Sequence, residues 1–394
     1  VKFLVGGFFI VRTGTMVFGR FVLGVRVAKG TLLAAVFTAF FSFSCINGEG
    51  EWGDDDDGST SGNLNLADRL REIHANAVSG GQYDIELTGS GNIGAQELSF
   101  SGRTNITIRI TGSGGVVRTV AMTGSGTLFT IGSGVILELG DMVTLRGNVD
   151  NNVPLVVVGS GGTLTMKAGS KIISNTNRSG YSTAGVVVST GGIFLMEGGE
   201  ISGHTASGYT SRGGVHVQSG ADFLMEGGKI SGNTASSYGN GGGVFVEGRF
   251  TMAGGEISGN SVSSNGGGVH VSRGVFAMEG GSISGNTAGS NGGGVYMSNA
   301  MFTMSGGILS FNTAASGGGG VYVTSNAGIV KTGGTIYGYD LRDSNRNTAT
   351  TGISSNDRGH AVFVDSSPGK RRETTAGPAV NLDSEVLGAA GGWE

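Results

Sequence analysis

The chain has 394 residues, of which 80 are glycine and 3 proline, with 38% hydrophobic residues and a formal net charge of −4. So much glycine without a G-X-Y period excludes collagen, and the hydrophobic content excludes simple disorder. No basic field or basic, aromatic-rich stretch exists to hold nucleic acid, and the single cysteine, Cys45, excludes a disulfide within the sequence.

Residues 1–44 read as an export signal with an over-long start. "TLLAAVFTAFFSFS" at 31–44 is apolar and uncharged, with Arg20, Arg26 and Lys29 just upstream. A membrane span wants about 20 apolar residues, so this shorter run after a basic segment fits an export core. The stretch before it, 1–19, is apolar but broken by glycine and Arg12, and carries no assigned role. A start at Met16 or a later valine would remove it.

"FSFSC" ends this segment and resembles the lipobox of bacterial lipoproteins, in which the cysteine becomes the lipidated first residue of the mature chain. Ser42 stands where leucine is usual and Phe43 is bulky, a departure that the looser spirochaete-type lipobox accommodates. Ser42 and Ser44 also fit an A-x-A-like site for ordinary signal peptidase at the same place. Lipidation of Cys45 is the preferred expectation. Residues 45–63, with "GDDDDG", are acidic, glycine-rich and aperiodic, which makes a solvated tether rather than a calcium site.

Leu66, Leu70, Ile73 and Ala77 share one helical face. They predict a helix over about 64–78, in a capping segment 64–82 that plugs the end of a stack of strands. Asn63 or Asn65 can cap its start, and Gly80-Gly81 can stop it.

From Tyr83 the pattern is strands, and then it repeats. The methionine of "FxM" recurs as Met166, Met196, Met225, Met252, Met278 and Met304, with Leu139 and Lys331 in the same slot at the ends. The intervals are 27, 30, 29, 27, 26, 26 and 27, which means a solenoid or related array. Each unit has three apolar bursts: "GGGVxV", "FxM", and a lone apolar residue after a double glycine. No helical period is present, so leucine-rich and ankyrin repeats do not fit, and a propeller blade needs about 40 residues. The expected fold is all-β: a right-handed parallel β-helix with three short strands per coil, nine or ten coils over 83–365. Coils about 4.8 Å apart make a rod on the order of 45 Å long. The Phe and Met slots then become internal stacks. Asn175, His204, Asn233, Asn260, Asn286 and Asn312 form a turn column able to hydrogen-bond its own copies. Residues 366–394 are expected to cap the last coil, with Val380, Leu382, Val386, Leu387 and Trp393 covering it after a basic turn.

"GGGV" followed by "ISGN" resembles the GGA[ILV] and FxxN repeats of bacterial polymorphic outer-membrane proteins. It resembles still more the right-handed β-helix surface lipoproteins of spirochaete type, over roughly 64–394. Most FxxN phenylalanines are isoleucine here, and no large barrel follows the repeats, so a lipid anchor is the expected route to a surface. The resemblance implies architecture and an outer-membrane or cell-surface location, not an activity.

The outer faces carry the candidate sites. Glu197, Glu226 and Glu279 follow the marker methionine, and Glu200, Lys229 and Glu256 share one slot in successive coils. That alternation of sign reads as an ion-pair ladder rather than a paired-carboxylate glycosidase site. His216 and His270 share a slot but lie two coils apart with Phe245 between, about 9–10 Å, too far for one zinc. No CxxC, HExxH or phosphate loop is present, so neither metal nor cofactor is expected. The middle residues of "GGGVxV" are His216, Phe245, His270, Tyr296, Tyr322 and then Phe363. With the valines inward these rings point outward, a ribbon able to stack sugars or dock a protein; ring stacking that merely stabilises the sheet is the competing reading. A second candidate is the loop 338–359 with Arg342, Arg346 and Arg358, which interrupts the repeat.

The functional expectation is a monomeric, exported, lipid-anchored surface protein, held to the membrane through its anchor. It acts without catalysis in adhesion, binding or display, with a host or matrix protein or a glycan as partner. The alternatives are a pectate-lyase-like polysaccharide-degrading enzyme and a purely structural envelope protein.

Overall fold

A computed structural model describes residues 8–12, 15–19, 66–180, 182–338, 345–350, 360–365 and 370–372. The chain divides into two units, 1–59 and 60–394. In the first, strand Phe8–Arg12 pairs antiparallel with Thr15–Gly19. The export core, Cys45 and the acidic tether lie outside the described residues, as does most of the 366–394 cap.

The second unit is a parallel β-solenoid of about nine turns. Its first sheet holds the "FxM" strands, ten from Gln82–Leu87 to Gly328–Lys331. The second has ten strands from Gly91–Ile93 to Thr335–Ile336, and the third carries "GGGVxV" from Gln96–Leu98 to Val362–Asp365. Every pairing among these is parallel and in register, and the inward positions stack like on like: Phe223 on Phe250, Ile230 on Ile257, Val244 on Val269. A fourth sheet adds to the expected three. It has seven strands of two residues each, from Thr176–Asn177 to Thr348–Ala349. Two residues are too short to show alternation, which is why periodicity does not reveal it.

Among the described residues there is a single helix, Leu66–Asn76, at the N-terminal end of this unit; it buries Leu66, Leu70 and Ile73, with Ala77 just beyond it. The predicted face is the buried one. It closes the first coil, whose open backbone edge and apolar interior would otherwise meet water. At the other end the residues expected to turn form a strand. Lys370–Arg372 returns antiparallel along Val362–Asp365 and so covers the edge of the last parallel strand.

Inside, repetition becomes continuous packing. Phe194, Phe223, Phe250, Phe276 and Phe302 stack with ring centroids 4.5–4.9 Å apart and planes within 4–8° of parallel. Each such contact adds about 0.5–1.5 kcal/mol beyond the burial of area. The methionine column beside it is fully enclosed, and it explains the double glycine. Gly255 has φ +82°, and a Cβ there would sit 2.6 Å from Met225 Cε and 2.8 Å from the Gly228 carbonyl oxygen. From Met196 to Met304 each methionine tip therefore lies under the second glycine of the next coil. Gly255→Ala is expected to destabilise the protein by about 2 kcal/mol or more through left-handed strain and the clash together. Adding Met225→Ala should not restore it, because the carbonyl and the φ remain. Thermal midpoints of the single and double variants decide this.

The asparagine column is a buried hydrogen-bonded ladder. Asn233, Asn260, Asn286 and Asn312 each receive the side-chain NH2 or the backbone N–H of the preceding member at 2.9–3.0 Å. It reaches further than predicted, to Asn151 at one end and Asn347 at the other.

Candidate functional site

The outer face of the third sheet carries the ring ribbon in the predicted register: His216, Phe245, His270, Tyr296, Tyr322 and Phe363. Alternation turns these side chains away from the valine core, and coil stacking brings them ring to ring. Centroids are 5.4, 4.8, 4.7, 5.4 and 5.2 Å apart in that order. His216 meets Phe245 edge-on, whereas Tyr296 and Tyr322 lie nearly parallel.

The ribbon is not uniformly open. His216, Phe245 and His270 are buried, and Tyr296, Tyr322 and Phe363 are half-buried. The glycine corner entering each of these third-sheet strands lies against the ring-bearing residue of its own strand. Gly241 and Gly266 run so close that a Cβ on either would press on Phe245 or His270, at 2.9 and 2.7 Å from their Cβ atoms. Arg212 takes the first-glycine position of "GGGV" in its own coil and lays its guanidinium over Phe245, 4.3 Å from the ring centre.

Polar groups close the buried half. His216 Nε2–H donates to Glu247 Oε2 at 2.9 Å, and Arg273 reaches the other carboxylate oxygen at 3.5 Å. Burial lowers the pKa of His216, the Glu247 bond opposes this, and the Arg212 charge adds to the lowering. The hydrogen bond from His216, with the arginines nearby, outweighs burial at Glu247 and holds that carboxyl below the usual range. Burial also lowers Arg212, against the attraction of Glu247. His270 is pushed down to about 4 by burial, its Nδ1 bonded to the Asn265 carbonyl at 3.3 Å. At neutral pH the ribbon histidines are therefore uncharged rings within a stack. At the open end Tyr322 donates its hydroxyl to Asp365 at 2.9 Å, and Tyr296 is raised by burial and by Asp365.

His216 and His270 are kept apart by Phe245, as their spacing implies. Among the described residues no three His, Cys, Asp or Glu side chains gather as a metal-binding group. On the second sheet the charge slot is a ladder: Lys171 pairs with Glu200 at 2.9 Å and Lys229 with Glu256 at 3.0 Å. Glu197 takes Lys167 Nζ on both oxygens at 2.6 Å. Glu200 and Glu256 are lowered, chiefly by hydrogen bonds from Ser202 and Ser258. A glycosidic general acid needs a raised pKa, so these carboxylates are tuned the wrong way for that role. Exposed pairs of this kind contribute little individually.

Of the loop arginines, Arg346 is described and Arg342 and Arg358 are not; Asn345 accepts the Phe311 N–H at 3.1 Å, which ties this segment to the rod. Arg212, Glu247 and Arg273 escape sequence reasoning. The available signal was an arginine at 212 where the following coils place the first glycine of "GGGV".

No family model matches the chain, and no curated protein and no solved structure matches it.

Proposed function

We propose that the protein is an exported, lipid-anchored surface protein that uses its solenoid as a stiff, non-catalytic binding scaffold. In this reading Cys45 carries the lipid, the tether lifts the rod from an outer membrane, and the repetitive rod serves adhesion or display. One observation carries the binding role: Tyr296, Tyr322 and Phe363 form a half-open run of rings on a rigid sheet. Such a run offers apolar area with hydroxyl tips at little cost in conformational entropy, because the stack already fixes the rotamers. The paired, pKa-lowered carboxylates of the second sheet favour binding over hydrolysis.

The test is binding of the protein to an array of glycans and matrix proteins, with the same glycans assayed for cleavage. Selective binding without products, weakened at least tenfold by Tyr296→Ala with Tyr322→Ala, is the expected result. Products accumulating with time would replace this reading with the polysaccharide-degrading one. No binding at all would leave the structural envelope role in its place. For the anchor, Cys45→Ala is expected to abolish metabolic labelling by palmitate and to release the protein from the membrane fraction.

A further inference from the structure

The corners leading from the fourth sheet to the third are not all alike. They run from Asn175 to Val186, from His204 to Val215 and from Asn233 to Val244. In the next coils they run from Asn260 to Val269, Asn286 to Val295 and Asn312 to Val321, two residues shorter each time. Each long corner carries a tyrosine. Tyr209 and Tyr238 are 57% and 69% exposed, with ring centroids 5.4 Å apart and planes tilted by 57°. The first long corner holds Tyr181, which lies outside the described residues.

Burial of apolar area does not account for this pair. Rings left mostly in water return little hydrophobic free energy. The backbone beneath them is strained: Thr210, Ser237 and Tyr238 have φ of 51°, 56° and 62°. At the turn just before the asparagine column glycine does this work in most coils, as at Gly203, Gly232, Gly259 and Gly285, with Ser174 and Phe311 at its two ends. A bulky residue in that conformation costs about 1–2 kcal/mol, and such strain concentrates at functional sites. The Thr210 hydroxyl, next to Tyr209, is also enclosed without a hydrogen-bond partner among the described residues.

We propose that Tyr209 and Tyr238 form the stacking platform of a carbohydrate site, taking a glycan chain that runs parallel to the solenoid axis. Successive rings repeat at the coil rise of about 4.8 Å, close to the length of one sugar unit along a linear chain, so consecutive sugars meet consecutive rings. The surroundings are serine, threonine, glycine and asparagine rather than aliphatic side chains, as hydroxyl-rich ligands require. A protein partner fits less well. Two partly exposed rings offer about 300–500 Å² at most, short of the roughly 800 Å² per partner of a stable protein interface. The site is separate from the ring ribbon and uses neither Tyr296 nor Tyr322.

The experiment is affinity electrophoresis of the full chain through gels containing a soluble linear polysaccharide. The panel is hydroxyethylcellulose, xylan, glucomannan, glycol chitosan re-acetylated to neutrality, and hyaluronan. Retardation by at least one is expected. Tyr209→Ala and Tyr238→Ala should each raise the dissociation constant about tenfold or more, and Tyr238→Phe should keep most of the affinity. Tyr238→Gly is the discriminating variant. It relieves the positive φ, so it should leave the thermal midpoint unchanged or higher while binding is lost; a merely structural tyrosine would show the reverse. No retardation in any gel, or retardation that survives Tyr209→Ala with Tyr238→Ala, overturns the inference. If Tyr296→Ala with Tyr322→Ala abolishes the retardation and the corner variants do not, the ribbon is the binding face and the corner is not. If the corner variants abolish it and the ribbon variants do not, the corner site stands and the ribbon is structural.

Discussion

Asn260→Leu is expected to cost on the order of 3–5 kcal/mol, the largest loss from any single side chain of the repeat. Asn260 is 1% exposed and makes four side-chain hydrogen bonds. Its Oδ1 accepts the Asn233 backbone N–H and the Asn233 Nδ2–H, both at 3.0 Å. Its Nδ2 donates to the Ile230 carbonyl at 2.9 Å and to Asn286 Oδ1 at 3.0 Å. Leucine matches the volume, so packing changes little, and the loss isolates the polar term. Stranding a buried donor or acceptor costs about 1–3 kcal/mol, and the Asn233 N–H has no other acceptor among the described residues. The control is Asn291, in a second, partly buried ladder, whose Oδ1 accepts the Gly317 N–H at 3.1 Å. Water can replace that bond, so Asn291→Leu should cost about 1 kcal/mol or less. Urea midpoints compare the two. A solenoid coil touches only its neighbours, so amide exchange should accelerate first around Asn233. Equal losses at both positions would show that the ladder owes its stability to packing, not hydrogen bonding.

The ladder also shows what the sequence makes legible. Residues that must sit on their own copies recur at a fixed interval, and Phe, Met, Ile and Asn all obey this. Phe363 fell into register across the interruption at 338–359 because "HAVFVD" repeats the third-sheet pattern. Features that depend on what lies beside a coil were not legible. The register of the ring ribbon follows from the repeat, but its covered half depends on how Arg212 and its neighbours fold across it, and no periodicity encodes that. The Thr-Ala strands are too short to announce themselves. The basic run 370–372 carries turn-like composition, and pairing with the last parallel strand overrides it. In the candidate site the uncharged state of the histidines was equally invisible, since burial decides it and composition does not.

That uncharged state gives the second large effect. His204 occupies an asparagine slot in the ladder, is fully buried, and is pushed down to about 4 by burial against a bond to the Ile172 carbonyl. Its Nε2–H donates to Ile172 O at 3.0 Å while Nδ1 accepts the Asn175 N–H at 3.2 Å, a pairing that requires the neutral ring. His270 is likewise at about 4, between the opposite charges of Arg212 and Glu247. In the unfolded chain both return to 6.5. Unfolded protein therefore binds more protons between these values, and stability falls as pH falls. The contribution is complete above pH 6.5 and is lost progressively down to about 4. Between pH 7 and 5 each histidine should remove on the order of 2 kcal/mol. The lowered carboxylates Glu200, Glu247 and Glu256 lose their contribution only as pH drops below their ordinary 4.5, so this window reads histidine. The repeat supplies the remedies. His204→Asn restores the ladder residue, whose Nδ2 can reach Ile172 O as Asn233 Nδ2 reaches Ile201 O. His270→Tyr copies Tyr296, one coil on. The double variant should match or exceed the parent at pH 7 and lose clearly less of its urea midpoint down to pH 5 than the parent, the remaining slope coming from His216, whose pKa burial also lowers. A parent equally level across that range would mean that both rings accept protons within the fold, and that the solenoid wall is more open to water there than its packing implies.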